Sequence, residues 1–516
     1  MKDLKKHRVV LMGSAFSVAS LAASVLVGFF LMPFVVHRLG DQMYGYWSLV
    51  GAVLGYYGVL ELGITPAVSF HVAKAIGEGD NESANGTLSA AFAGLTGVGL
   101  AVLLITIVVA ALCPFFITAA SDARVIRVVL VITGLGCAFG FPGRAFLGGI
   151  FAHLRTDLIA TVRTVVLVLR TALVVWAILM GWGIVGLAVV SLLTDSLTYV
   201  ACYLILRRIQ PGLRISFSLV DRKALRELFK YGQYSMILRV GDQLRFALDG
   251  WVVAGFVGVA TVAHYAIASR LSDYFLTVIL AVVGLLQPWF SQMLGSGNQD
   301  GIRRLLSLST RIAAALSTIV ACSFIFYGRT FIAQWMGSRY VDAYWPSLVL
   351  VMALYCDLAQ QPSVSYLLGV SKHRYLAIQT IIEGIANLAL SMYWARSYGM
   401  IGVAMGTLVP MFVAKVILQP AYVCRSAGIS PARYYFRDLG AGVMVPALCA
   451  TALWGLLLRH VPLSSLGAVC LVVALQAAIC GVAAFYLTCE TSERRMIVRA
   501  MWKRPRAQTS EATVNA

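Results

Sequence analysis

The sequence predicts an all-α polytopic membrane protein with about fourteen transmembrane helices, and three observations point to this class. Hydrophobic residues make up 60% of the 516 residues and charged residues 12%, whereas a soluble domain carries about 45–50% apolar and about 25% charged residues. The mean hydropathy is +0.83, so much of the surface must face lipid. Apolar runs of about 20 residues, the length that crosses a bilayer, recur along the whole chain.

The individual helices follow from these apolar runs and from the short polar segments between them. The first run follows a basic N-terminal segment, but it is too long for a signal peptide and no convincing cleavage site follows it, which predicts a retained span. The predicted helices cover about residues 10–35, 44–72, 87–112, 125–148, 158–180, 184–206, 231–256, 262–290, 308–327, 345–368, 375–395, 401–424, 438–458 and 464–487.

Both termini are predicted to lie on the cytoplasmic side. An even number of spans puts the two ends on one side, and Lys and Arg concentrate in the segments that share it, as the positive-inside rule requires. These segments account for most of the net charge of +19, so nucleic acid is not a predicted partner, whereas membrane lipid is. They are residues 2–8, 207–230, 371–374, 425–438 and 494–506.

Patterns in the first half of the sequence return in the same order in the second half. The segment YGYWSLVGAVLGYYGVLELGITP starts at Tyr44 and is matched by YAIASRLSDYFLTVILAVVGLLQP from Tyr265, and 137–149 is matched by 356–369. The matching helices run in the same direction, so this parallel pseudo-repeat predicts two six-helix lobes, which is a transporter plan. The predicted domains are an N-lobe (1–206), a cytoplasmic linker (207–230), a C-lobe (231–424), two extra helices (425–487) and a basic cytoplasmic tail (488–516).

Four charged residues in the seventh predicted helix are expected to share one polar face. At 100° per residue they fall within an arc of about 120°. Each ionised residue at a helix centre costs roughly 2.5–3.5 kcal/mol in lipid, so this face must meet protein or water. One explanation is pairing within the helix, Arg239 with Asp242 and Arg245 with Asp249, at i,i+3 and i,i+4 spacing. A polar cavity is the other explanation, and the two are compatible.

Basic residues in other predicted spans favour the cavity. Arg163 and Arg170 lie seven residues apart and therefore on one face of the fifth helix, while Arg270 in the eighth helix has Asp273 three residues further on. A guanidinium is a planar, bidentate donor that suits a phosphate group. The predicted substrate-binding residues are Arg163, Arg170, Arg239, Arg245 and Arg270.

Acidic residues in the spans suit the binding of Na⁺ or H⁺. Several of them have no basic neighbour in their own helix: Glu61, Asp195, Asp357 and Glu383. The predicted cation-coupling or charge-pairing residues are Glu61, Asp242, Asp249, Asp357 and Glu383.

Sequence motifs of catalysis do not occur. The chain has no nucleophile elbow, zinc-protease motif, P-loop or glycine-rich dinucleotide motif. The ten cysteines are scattered singly, without metal-ligand spacing. We therefore expect no enzyme activity, no catalytic or metal-binding residues and no resident cofactor, with Na⁺ or H⁺ as the candidate coupling ion.

The first two helices resemble those of a known family. Pro33, Leu39-Gly40 and Tyr44-Gly45 follow the pattern P-x-x-x-x-x-L-G-x-x-x-Y-G, and an acid-Leu-Gly at 61–63 and a G-x-G-D at 77–80 come next. This is similar to bacterial polysaccharide-export and O-antigen-type lipid flippases of the multidrug/oligosaccharidyl-lipid/polysaccharide exporter superfamily. The family often has Asp where this chain has Glu61, and the first helix lacks the cavity arginine of the lipid II flippase branch.

The resemblance implies a two-lobe flippase that moves an undecaprenyl-diphosphate-linked oligosaccharide across the bacterial inner membrane by alternating access. The predicted arginines would hold the diphosphate or acidic sugars, and the product would serve exopolysaccharide or O-antigen biosynthesis. A polysaccharide polymerase and chain-length machinery are implied partners.

Two alternatives stay open. One is a cation-coupled multidrug exporter, which shares the fold. Such exporters hold cationic drugs with acidic residues, so the excess of arginine in this chain argues against this alternative. A membrane polymerase or ligase would need a large extracytoplasmic loop, and the longest one here, at about 328–344, is short.

Overall fold

The computed structural model describes residues 2–61, 63–117, 119–216, 220, 223–230, 240–241, 243–244, 247–283, 286–456, 460–491 and 493–495. This part of the chain is almost entirely helical and contains no β-strand. Eleven of its helical segments are long and apolar enough to cross a membrane. The prediction of an all-α polytopic membrane protein is confirmed.

The described residues up to 209 form seven helices, in the order of the first six predicted spans. The second predicted span is divided into two consecutive helices, α2 and α3. The helices are α1 (Lys2–Leu39), α2 (Asp41–Val59), α3 (Ile64–Glu78), α4 (Asn81–Phe116), α5 (Ala120–Ala152), α6 (Thr156–Leu179) and α7 (Gly183–Ile209).

Ten further helices follow in the described residues from 249 onward. Short 3₁₀ or π turns connect some of them, at Ser338–Ala343, Val413–Leu418 and Arg433–Leu439. The helices are α8 (Asp249–Phe256), α9 (Val259–Val283), α10 (Leu286–Gly295), α11 (Gln299–Trp335), α12 (Tyr344–Ala359), α13 (Gln361–Gly369), α14 (His373–Phe412), α15 (Gln419–Ala427), α16 (Gly440–Leu456) and α17 (Leu466–Thr488).

The predicted spans of this second half are recovered with different boundaries. The two predicted helices 375–395 and 401–424 are both present as the arms of the helical segment Arg374–Ala427, because the chain reverses direction at Gly399 (φ 56°, ψ −134°). The arms pack side by side, so that Asn387 donates to Thr407 Oγ1 at 3.1 Å. Predicted helix 262–290 corresponds to α9 and the start of α10. Most of predicted helix 231–256 lies outside the described residues, and α8 is its last part.

The chain divides into two compact units. The first comprises Met1–Tyr274, Trp345–Leu350 and Arg374–Pro410, and the second comprises Phe275–Tyr344, Val351–His373 and Met411–Ala516. The lobe and linker boundaries drawn from the sequence repeat stay a prediction.

The same local turn occurs twice, at the offset of the predicted repeat. Gly79 and Gly297 both have a positive φ, of 76° and 69°. The next residue in each case caps the following helix, because Asp80 accepts from the Ser83 amide at 2.9 Å and Asn298 from the Gly301 amide at 2.8 Å. A capped helix start satisfies an amide that would otherwise lack a partner.

Each unit has its own apolar core. In the first unit, α3, α4, α5 and α7 bury a cluster that includes Ile64, Leu88, Phe141 and Leu206. In the second unit, the two C-terminal helices α16 and α17 pack on α11 through Ile319, Cys322, Ala450 and Cys480. Such close-packed interiors fix the helices whose polar side chains form the site.

Candidate functional site

A buried ion pair joins the end of α2 to the middle of α5. Arg144 Nη1 donates to Glu61 Oε2 at 2.6 Å, and the two side chains are 24% and 8% exposed. The guanidinium also lies over the Phe141 ring, 4.7 Å from its centroid. Glu61 therefore has a basic partner on another helix. The sequence around Glu61 did not indicate this partner.

The local sequence FPGR of α5 explains how Arg144 reaches this position. A Cβ atom on Gly140 would lie 2.9 Å from the Tyr199 ring, and one on Gly143 would overlap it. Since both positions are glycine, Tyr199 of α7 packs directly on the α5 backbone and comes within hydrogen-bonding reach of Arg144. The three helices thereby share one polar network.

A second ion pair in the first unit joins α6 to α7. Arg170 Nη1 lies 3.3 Å from Asp195 Oδ1, and its Nη2 donates to Ser191 Oγ at 2.8 Å. The side chains are 40% and 47% exposed. Asp195 has no basic neighbour in its own helix but has one on α6, because sequence spacing within one helix cannot show a partner on another.

A third ion pair lies in the second unit, beside the proline of α13. Lys415 Nζ is 2.9 Å from Asp357 Oδ1, with both side chains at most 5% exposed. Gln361 also donates to Asp357 at 3.0 Å. The backbone oxygen of Gln360, two residues before Pro362, accepts from Gln419 Nε2 at 3.2 Å as well as from the Val364 amide at 3.1 Å. This side-chain contact joins the start of α13 to the start of α15.

Asp249 has a different environment from these three acids. Its side chain is buried in the first unit, and Oδ2 accepts from Tyr265 Oη at 2.7 Å and from Thr407 Oγ1 at 3.0 Å. Asn387 donates to Thr407 Oγ1 at 3.1 Å, and Ser391 donates to Asn387 Oδ1 at 2.9 Å. No basic side chain among the described residues lies within ion-pair distance of Asp249. The result is a buried cluster rich in oxygen atoms.

The remaining predicted acid and the predicted arginine of α9 are also described. Glu383 of α14 is buried, one helical turn before Asn387. Arg270 lies 3.6 Å from Asp273, as the i,i+3 spacing indicated, and both side chains are more than half exposed. Arg239, Asp242 and Arg245 lie outside the described residues, so the shared polar face of helix seven and its internal pairs stay predictions.

Arg163 lines a cavity of about 230 Å³ between α1 and α6. Three serines of α1 line the same cavity: Ser17, Ser20 and Ser24. Arg170 and Arg270 pair with acids, but Arg163 has no acidic side chain within ion-pair distance in the described part of the chain. Sequence reasoning identified Arg163 and missed the serines, although their spacing places them on one helix face.

The described residues contain no group of three or more His, Cys, Asp or Glu side chains that could hold a metal ion. What the site offers is a set of charges, some buried and others more than half exposed, on membrane-spanning helices. Ionisable residues in such places mark pathways for ions or polar substrates. Fold and site together define a polytopic membrane protein with charged groups inside its helical bundle.

Comparison with known proteins places the chain in a family. The family of polysaccharide biosynthesis proteins matches residues 10–294, more than half of the sequence, and the chain belongs to this family. The membrane protein EpsK of Bacillus subtilis is 20% identical over 84% of this chain and 85% of EpsK. The probable low-salt glycan biosynthesis flippase Agl15 of Haloferax volcanii is 22% identical over 45% of this chain and 48% of Agl15.

Solved structures show the same fold. The lipid II flippase MurJ in its inward closed conformation superimposes with a TM-score of 0.72 and 14% identity, over 94% of this chain and all of that one. An inward-facing multidrug resistance transporter of the MATE family, within the MOP superfamily, has a TM-score of 0.68 and 15% identity, over 80% of this chain and 98% of that one. The predicted family is confirmed: the chain is a membrane protein of the polysaccharide biosynthesis family, and it shares its fold with these transporters.

Proposed function

We propose that the protein is a flippase that moves an undecaprenyl-diphosphate-linked oligosaccharide across the bacterial inner membrane by alternating access. The observation that carries the proposal is the family match over residues 10–294 on a chain with a whole-length transporter fold. Two proteins similar to this chain bear the name flippase, one for a glycan pathway and one for lipid II. The product would supply exopolysaccharide or O-antigen biosynthesis, and the activity is transport without catalysis.

The basic residues support an anionic substrate. Some of the arginines pair with acids. Arg163 has no acidic partner among the described residues, and its guanidinium lines a cavity. The diphosphate linkage is the anionic group of the proposed substrate. We assign Arg163, Arg170, Arg239, Arg245 and Arg270 to the diphosphate or to acidic sugars.

The Asp249 cluster supports coupling to a cation. Carboxylate and hydroxyl oxygens converge there, and oxygen is the ligand type that a hard cation prefers. The carboxylate could equally carry a proton. We therefore propose Asp249 as the coupling residue, for Na⁺ or H⁺, while Glu61 and Asp357 hold basic partners in place.

The proposed membrane topology and the proposed partners follow from the distribution of basic residues and from the protein family. Both termini would be cytoplasmic, with the basic segments on that side. A polysaccharide polymerase and chain-length machinery would take the substrate after translocation.

Deletion of the gene in its host tests the function. The expected result is loss of surface polysaccharide and accumulation of the lipid-linked oligosaccharide, with both reversed by the wild-type gene. A matched drug-susceptibility panel addresses the multidrug alternative. Unchanged polysaccharide together with increased susceptibility to cationic drugs would overturn the proposal in favour of a multidrug exporter.

A further inference from the structure

We propose that the cavity between α1 and α6 is a binding site for the diphosphate group of a polyprenyl lipid, built from Arg163 and the three serines of α1. The inference rests on the proposed function and gives its substrate a specific contact point in the first compact unit.

Arg163 is the sequence-predicted arginine that the described structure leaves without an ion pair. Arg170 is within 3.3 Å of Asp195, Arg270 is 3.6 Å from Asp273, and Arg144 is bound to Glu61. These partners neutralise the three guanidinium groups and orient them. Arg163 keeps its positive charge available to a ligand in the cavity that it lines.

The opposite wall of the cavity supplies neutral hydrogen-bond donors. Ser17, Ser20 and Ser24 are spaced i, i+3 and i+7, which puts them within an arc of about 60° on α1. Ser24 Oγ donates to the Leu21 carbonyl at 2.7 Å. A hydroxyl rotates about its Cβ–Oγ bond, so the same group can turn to a ligand instead. One guanidinium facing several hydroxyls is a donor set that matches the oxygens of a phosphate.

The volume of the cavity and its apolar lining residues restrict which ligands can bind there. Its volume of about 230 Å³ is below the roughly 300–1,000 Å³ of pockets that enclose a drug-sized ligand. It can hold a phosphate group but not a whole oligosaccharide. The lining also includes Leu21, Ile159 and Leu167, so an apolar chain attached to the phosphate would also find contacts.

The position along α6 fits a headgroup near one membrane face. Arg163 is seven residues after Thr156, the first residue of α6, which is about 10 Å along the helix axis. The preceding turn carries Arg155 and lies on the side that the positive-inside rule assigns to the cytoplasm. A lipid diphosphate loaded from the cytoplasmic leaflet would meet Arg163 at this depth.

Binding of defined lipids to the purified full-length protein in detergent, measured by native mass spectrometry, tests the proposal. The probes are undecaprenyl diphosphate, undecaprenol without phosphate, and phosphatidylglycerol as a bulk anionic lipid. We expect undecaprenyl diphosphate to bind at least about tenfold more tightly than undecaprenol. Arg163→Gln should remove about a factor of ten or more, since a hydrogen bond to a charged group contributes at least that much.

Matched variants separate this site from a general loss of charge. Arg208→Gln removes one positive charge at the end of α7 and should bind like the wild type within twofold. Arg163→Lys should bind undecaprenyl diphosphate with an affinity between those of the wild type and Arg163→Gln. Ser20→Leu fills the cavity and leaves the charge, and it should also weaken binding about tenfold, so that the test stands even where Arg163→Gln fails to fold.

The outcomes distinguish this inference from the proposed function. Equal binding by wild type, Arg163→Gln and Ser20→Leu overturns the inference and leaves the flippase function standing. Equal binding of phosphatidylglycerol and undecaprenyl diphosphate at this site overturns it in favour of a bulk-lipid site. A wild-type protein that binds no undecaprenyl diphosphate at all contradicts both.

Discussion

Arg144 of α5 donates a hydrogen bond of 2.6 Å to Glu61 at the end of α2, inside a bundle of membrane helices. Removal of one partner from a buried ion pair leaves an uncompensated charge and costs about 3–5 kcal/mol. Because Arg144 is 24% exposed, we expect Glu61→Gln or Arg144→Gln to lower stability by an amount near the bottom of that range. Thermal unfolding of the purified protein in detergent measures the change.

Two further variants test whether pairing is the cause. The double variant Glu61→Leu/Arg144→Met should recover part of the stability, because apolar pairs often replace buried ion pairs without loss. Lys74→Gln breaks an exposed pair with Glu78, 3.9 Å apart and more than 60% exposed on both sides, and should change the melting temperature little. Equal destabilisation by Lys74→Gln and Glu61→Gln would contradict this account.

The pair of Arg170 and Asp195 should matter more to transport than to stability. Both side chains are 40% or more exposed, and exposed ion pairs contribute about 0–1 kcal/mol. We expect Arg170→Gln to reduce lipid flipping at least tenfold with a nearly unchanged melting temperature. The exchange Arg170→Asp/Asp195→Arg should restore the pair but not the flipping rate. Full recovery of transport by the exchange would show that the pair is structural and that Arg170 does not hold substrate.

Gly45 of α2 should be required for the close contact of α2 with the start of α9. A Cβ atom at Gly45 would overlap the carbonyl oxygen of Val259. We expect Gly45→Ala to separate the two helices and to abolish or strongly reduce flipping. The native Val252 is buried in the same apolar cluster as Leu49. In a background without the native cysteines, Val252→Cys should become reactive to a polar thiol reagent when Gly45→Ala is also present.

The same helix offers a control for Gly45. A Cβ atom at Gly51 would meet nothing within 4 Å, so Gly51→Ala should keep both the flipping rate and the protection of position 252. A Gly45→Ala protein that transports normally would contradict the requirement for this contact.

Asp249 should link transport to a cation gradient. Asp249→Asn keeps the size of the side chain and a hydrogen-bond acceptor for Tyr265 and Thr407 but removes the charge. We expect flipping by this variant to lose its dependence on an imposed Na⁺ or H⁺ gradient, measured with each gradient separately in vesicles. Asp300→Asn, at an 80% exposed side chain, should keep the wild-type dependence. Gradient-stimulated flipping by Asp249→Asn at the wild-type rate would exclude Asp249 as the coupling residue.

Hydropathy alone predicted the helices well, because a bilayer imposes a length and an apolar composition on every span. The predicted helices 375–395 and 401–424 are both present, joined by a tight turn at Gly399 instead of a polar loop. The exception is the second predicted span, and it has a local cause. The predicted second span contains two helices, and the break lies beside Glu61, the acid that pairs with Arg144.

The candidate site was predictable by residue type but not by pairing. The sequence marks Glu61, Arg170 and Asp357 as costly charges in apolar helices. It does not show that their partners are Arg144, Asp195 and Lys415, because each pair joins residues from different helices. Partners at i,i+3 spacing, such as Asp273 for Arg270, are visible in the sequence because one helix fixes their distance.

The central claim is that the protein moves a lipid-linked diphosphate oligosaccharide across a bilayer, and reconstitution tests it most directly. Purified protein in vesicles that contain a fluorescent undecaprenyl-diphosphate-linked oligosaccharide should make the inner-leaflet pool accessible to an external quencher. Protein-free vesicles and vesicles with Arg163→Gln should show little exchange. Wild-type protein that exchanges no more lipid than protein-free vesicles, while the same vesicles transport a cationic drug, would contradict the account.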